Sequence, residues 1–224
     1  MAYTKLKQGG SVFGDMMANG FGIVTVMNAN VYEALSDSDL KAKTAYEILE
    51  GAKEPLCTID TLKIANVTME GPTKTITGGQ YTNPLIKFGK TARLEMQDAL
   101  GRADAIEALC GGVKEHKGKD AEGDLMGLHF GQDFCSEKMI IGDSFFIDKE
   151  TAQQVPVKVI FYKFLPDSIF NLTQDAEGDA TVFDMNGDLL IAEIKVGDSE
   201  GNPINHGVFY SIVDATVKPE TEGQ

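Results

Sequence analysis

The sequence predicts a mainly β protein: an antiparallel β-sandwich or partly closed barrel with one or two flanking helices, long hairpins and an extended N-terminal arm. Three observations carry this. Leu85–Gln97 alternates in hydrophobicity with a period of two and runs straight into a short helix. β-prone runs separated by turn residues succeed one another along most of the chain. No internal repeat and no Pro- or Ser-rich linker divides the 224 residues. The simplest organisation is therefore an arm over residues 1–20, one sandwich domain over residues 21–217 and a polar tail over residues 218–224.

Met1–Gly20 contains three methionines, several glycines and little periodicity, and reads as an extended arm. Phe21–Met27 is a short strand. Ser36–Gly51 has the spacing of a capping box, Ser36 with Asp39, followed by Leu40, Ala45, Ile48 and Leu49, and reads as a helix ending at Gly51. Thr58–Glu70 is rich in β-branched residues and stops at Gly71-Pro72. Thr73–Pro84, with Gly78-Gly79 and Asn83-Pro84, forms the long tip of a hairpin whose second strand begins at Leu85.

In that strand Ile86, Phe88, Lys90, Ala92, Leu94 and Met96 alternate with Lys87, Gly89, Thr91, Arg93, Glu95 and Gln97. Five of the first set are apolar and none of the second, so one face is buried. Asp98 is placed to cap a helix whose Ala99, Ala103, Ile106 and Cys110 share a face, flanked by Leu100 and Leu109, and Gly111-Gly112 stops it. Lys114–Asp124 reads as a charged surface loop. Lys138–Asp148 and Val155–Leu165 form a hairpin around Lys149–Gln154. Thr181–Met185, Leu189–Val196 and Gly207–Val217 are three further strands, turning at Asn186-Gly187, the strongest hairpin signal in the chain, and at Gly197–His206.

Composition excludes several classes. At 42% hydrophobic the chain is not disordered. With 34 acidic against 20 basic residues it carries −14 formally, which argues against sequence-independent nucleic-acid binding. No apolar run approaches the roughly 18 residues of a membrane span, so no membrane insertion is expected. Cys57, Cys110 and Cys135 are odd in number and widely spaced, which argues against a disulfide framework or a zinc site. Cys110 reads as a small buried hydrophobe. The expected setting is a soluble protein made in a reducing cytoplasm.

The sequence contains no GxSxG, Walker-type loop, GxGxxG after a strand, or HExxH. His116, His129 and His206 lie in or near glycine-rich or charged loops without ligand spacing. Asp175, Glu177, Asp179, Asp184 and Asp188 form an acidic series around a turn; it misses the calcium-loop pattern, and a solvated surface is the plainer reading. Asp143 and Asp148 are carboxylates without a pocket. The expectation is a non-enzyme with no cofactor and no metal.

The order GPTKTITGGQYTNPLIKFGKTARLEMQDALGRADAIEALCGG resembles bacteriophage tail tube proteins, also called major tail proteins, and the related tubes of contractile tails and phage-tail-like bacteriocins. The resemblance is best over Thr58–Gly112. It implies a β-sandwich with a helix at its side, assembled as six-subunit rings that stack into a tube conducting DNA or other cargo. The implied partners are other copies of the chain, tape-measure, baseplate and terminator proteins, and a sheath protein where the tail contracts. DNA passes without specific binding, and the chain resides in the virion tail after assembly in the bacterial cytoplasm.

On this reading Lys87, Thr91, Arg93, Glu95 and Gln97 face water, either in the lumen or on an ordinary outer surface. An acidic lumen repels phosphates within the roughly 8–10 Å screening length, so acidic residues are expected to outnumber basic ones there. Met16 and Met17 of the arm, and Thr75, Thr77, Gly78, Gly79, Tyr81 and Asn83 of the hairpin tip, are candidate subunit or ring contacts, the alternative being a loose terminus and loop. Two other readings stand beside the tube subunit. One is a different virion part, namely a decoration, terminator or baseplate protein. The other is a calcium- or carbohydrate-binding sandwich module, which the absence of Trp weakens.

Overall fold

The computed structural model describes residues 16–18, 22–28, 44–71, 73–75, 85–87, 89–98, 102–117, 124–132, 134–148, 152–167, 183–197 and 203–215. Its elements run β1 (Met16–Ala18), β2 (Ile23–Asn28), α1 (Ala45–Gly51), β3 (Pro55–Ile59), β4 (Leu62–Glu70), β5 (Thr73–Thr75), β6 (Leu85–Lys87) and β7 (Thr91–Asp98). They continue with α2 (Ala103–Cys110), β8 (Gly112–His116), β9 (Leu125–Phe130), β10 (Lys138–Asp148), β11 (Gln154–Pro166), β12 (Phe183–Leu189), β13 (Ala192–Gly197), β14 (Pro203–Val208) and β15 (Tyr210–Asp214). Every strand pairing is antiparallel.

The hairpin β10–β11 is the centre, in register from Ile147↔Gln154 to Ile140↔Phe161, where the sequence places it. β2 pairs on the other edge of β10 and β3 beyond it. β1 lies end to end with β2 on that same edge, from Met16↔Asp148 to Ala18↔Phe146. Between them the Gly22 N–H donates to the Asp143 carbonyl at 2.8 Å. The end of the expected arm is therefore a sheet strand; residues 1–15 lie outside the described residues.

β11 divides its second edge. Val157–Phe161 pair with β15, while Phe164–Pro166 pair with β12, from which the sheet continues to β7 and β4. Because only the end of β11 holds β12, the β12-β7-β4 half can turn its apolar face onto the same core as β2, β10 and β11. The result is a mainly β, sandwich-like fold. Its path ends at β3 and β4, and among the described residues no pairing joins them, so the barrel expected in part is open.

Alternation along the central strands feeds two cores. Val24, Val26, Ile140, Val159 and Phe161 meet Ala92, Leu94 and Met96 of β7, Met185 and Leu189 of β12, and the buried side of α2. The opposite face sends Met27, Met139, Ile141, Ile160 and Tyr162 against Ile48 of α1 and Ala192 and Ile194 of β13.

Several expectations are corrected. Thr58–Glu70 is two strands: Asp60 and Thr61 carry the chain from β3, paired with β2, to β4, paired with β7 at the far end of the sheet. Leu85–Gln97 is also interrupted, with Lys87 ending β6 and Thr91 opening β7. The cap of α1 is Thr44, not Ser36. Its hydroxyl accepts from the Glu47 N–H while Glu47 accepts from the Thr44 N–H; residues 36–43 lie outside the described residues. Asp98 is not the cap of α2: it is buried at the end of β7, accepting from the Thr61 hydroxyl, and α2 starts after its N-cap Arg102. Gly111, left-handed at φ 76°, does end α2. The expected loop after Lys114 is in part a hairpin, β8 on β9.

Asn186-Gly187 is not a turn; both residues sit inside β12. The glycine is needed for close approach instead. A Cβ at Gly187 would lie 2.3 Å from the Leu165 carbonyl oxygen and 2.7 Å from the Phe164 ring.

Candidate functional site

β7 is the middle strand of a three-stranded wall. Its burial alternates without exception from exposed Thr91 to buried Asp98. Ala92, Leu94 and Met96 fill the core, and Thr91, Arg93, Glu95 and Gln97 stand on the other face, as the period-two reading requires. Register places Glu70, Thr68 and Asn66 of β4 opposite Thr91, Arg93 and Glu95. On the other side Asp188, Asn186 and Asp184 of β12 lie opposite Arg93, Glu95 and Gln97. β12 alternates in the same sense, with Met185, Gly187 and Leu189 buried.

Cross-strand bonds tie the wall together. Arg93 Nη1 donates to Asp188 Oδ1 at 3.0 Å, and Gln97 Nε2 donates to Asp184 Oδ1 at 2.8 Å. The Arg93 guanidinium also bonds both carboxylate oxygens of Asp167, just past β11, and its Nε lies 3.9 Å from Glu95 Oε1. The Asp167 bond is the main cause of the raised Arg93 pKa, with Asp188 adding to it. Arg93 keeps 38% of its side chain exposed, so the cluster contributes about 1 kcal/mol or less to stability. Its main effect is on charge: Asp167, Asp188 and Glu95 lie against the Arg93 guanidinium, and Glu70 and Asp184 add carboxylates at positions paired with Thr91 and Gln97.

The structure brings Thr91, Arg93, Glu95 and Gln97 together and separates Lys87, which lies on β6 opposite Thr73. Thr75 closes that short pairing opposite Leu85. Thr77, Gly78, Gly79, Tyr81 and Asn83 lie outside the described residues. Met16 and Met17 hold backbone register with Asp148 and Ile147 on β10. Sequence reasoning missed Asp167 as a partner of Arg93 and placed Asp184 and Asp188 around a turn. The alternation Asp184, Asn186, Asp188 was the signal, masked by the Asn-Gly pair.

Other groups offer little chemistry. Among the described residues no cluster of three or more His, Cys, Asp or Glu is arranged to hold a metal ion. Asp143 pairs with Lys158, and His129 Nε2 sits 2.8 Å from Glu115 Oε2 across β8–β9. The Cys57 and Cys110 thiols are both pushed up to about 11, chiefly by burial, so neither is the first thiol to react with an electrophile. No helix of the described residues is long and apolar enough to cross a membrane. No family model matches this chain, and no curated protein matches it.

Proposed function

We propose that this chain is a structural subunit of a bacteriophage or phage-like tail tube, forming stacked six-subunit rings whose lumen conducts DNA or other cargo. The observation that carries the reading is the acid-rich polar face of β4, β7 and β12, backed directly by the main core. It lies largely within Thr58–Gly112, the stretch that resembles tube proteins. A sheet apolar on one side and polar on the other suits a wall between protein and water. The carboxylates of Glu70, Glu95, Asp184 and Asp188 on these strands, set against Arg93, suit a channel that must not hold phosphates. The open sheet path leaves edges that ring closure would cover.

The partners on this reading are further copies of the chain, tape-measure, baseplate and terminator proteins, and a sheath in a contractile tail, all within the virion. The calcium-module alternative gains nothing from Asp184 and Asp188, which already bond Gln97 and Arg93. Sedimentation of the concentrated full chain tests the proposal. Species of six 24.2 kDa chains and multiples of them are expected; a closed dimer or trimer that grows no further would contradict it.

A further inference from the structure

Three reactive groups converge where α2 ends and the chain enters β10. Cys110 is the last residue of α2 and is 8% exposed. Side chains of a helix lean toward its N-terminus and cover the turn before their own Cα, which for Cys110 begins at Glu107. Cys135, partly exposed just before β10, points its thiol at the same turn, with Sγ 3.8 Å from the Glu107 carbonyl oxygen. Lys138 is buried at the start of β10, its Nζ donating to Ser136 Oγ at 2.6 Å. Burial first, then the neighbouring Cys135, raises the Cys110 pKa. Cys135 also acts on the Lys138 ammonium, whose pKa burial lowers. Neither cysteine is in a disulfide.

We propose that Cys110 and Cys135 form a dithiol that closes to an intramolecular disulfide when the chain meets a peroxide. The two sulfurs have unequal roles. Cys135 is the accessible one, whereas Cys110 is buried, so Cys135 reacts first. Its sulfur takes one oxygen atom from the peroxide to become a sulfenic acid. With hydrogen peroxide, one water leaves. The Cys110 sulfur then attacks; the S–S bond forms, the S–O bond breaks, and the departing hydroxide takes the Cys110 proton as a second water. Two thiols lose two electrons, and the peroxide gains them. The new bond ties the end of α2 to the entry of β10 and encloses the β8–β9 hairpin in a covalent loop, while Cys57 on β3 remains a thiol.

The test uses the full chain, purified under reductant, freed of it and exposed to hydrogen peroxide. Free thiols counted after denaturation fall from the three present in the sequence to one. Tryptic digestion without reductant yields residues 103–114 linked to residues 120–138. The thermal midpoint rises roughly 5–10 °C and returns on reduction. Cys135→Ser forms no linked peptide, whereas Cys57→Val still loses two thiols. A linked peptide containing Cys57, dimers joined through Cys135, or Cys135 oxidised to an acid with Cys110 still free would overturn the proposal.

Discussion

Gly187 has no room for a side chain, because β12 meets the end of β11 at Pro166↔Gly187 with the Leu165 carbonyl and the Phe164 ring beneath it. Gly187→Ala must push β12 off β11 or displace a fully buried Phe, and is expected to cost about 2–3 kcal/mol. Urea unfolding measures it as a lower midpoint at unchanged slope. Cys57 carries a pH effect of definite sign. Its folded pKa, about 11, stands above the unfolded value of 9.0. The stabilisation is therefore complete below pH 9 and is lost as pH rises toward 11, because the unfolded chain ionises first. Wild type should lose about 2 kcal/mol relative to Cys57→Val between pH 8 and 11, read from paired thermal melts. A constant difference between the two would contradict the burial argument.

At the scale of elements, legibility followed local pattern. β7 could be read because one face is core and the other water, and β10–β11 because two long β-branched runs flank a short polar turn. α1 was placed, but its cap is Thr44, whose three-residue spacing to Glu47 repeats that of Ser36 to Asp39, residues that lie outside the described ones. Thr44→Ala should cost about 1 kcal/mol, measured by chemical denaturation, while Ser36→Ala should leave the helix cap intact. β12 was misread for a tertiary reason: Gly187 is demanded by the neighbouring strand, and no local rule separates that need from a hairpin turn. The β8–β9 pairing was missed because its Val113, Leu125 and Met126 are exposed and its β8 is charged, so no burial alternation marks it. Of the polar wall, the β7 face was readable; Asp167 was not, because it reaches Arg93 from 74 positions away in sequence.

For the whole molecule, two cores on opposite faces of the β2-β10-β11 strands leave the outer surface of β4, β7 and β12 free to serve as a wall. On the tube proposal, its charge is the property that a passing polyanion would meet. Glu95→Lys combined with Asp188→Lys replaces two exposed carboxylates and should change the thermal midpoint little. It should nevertheless make assembled protein retain double-stranded DNA, with retention falling steeply as salt rises. Unchanged DNA retention would place this face away from the channel. The most direct measurement is negative-stain electron microscopy of the concentrated full chain at moderate salt. The account predicts hollow tubes or stacked six-fold rings, and uniform monomers across concentration and salt would contradict it.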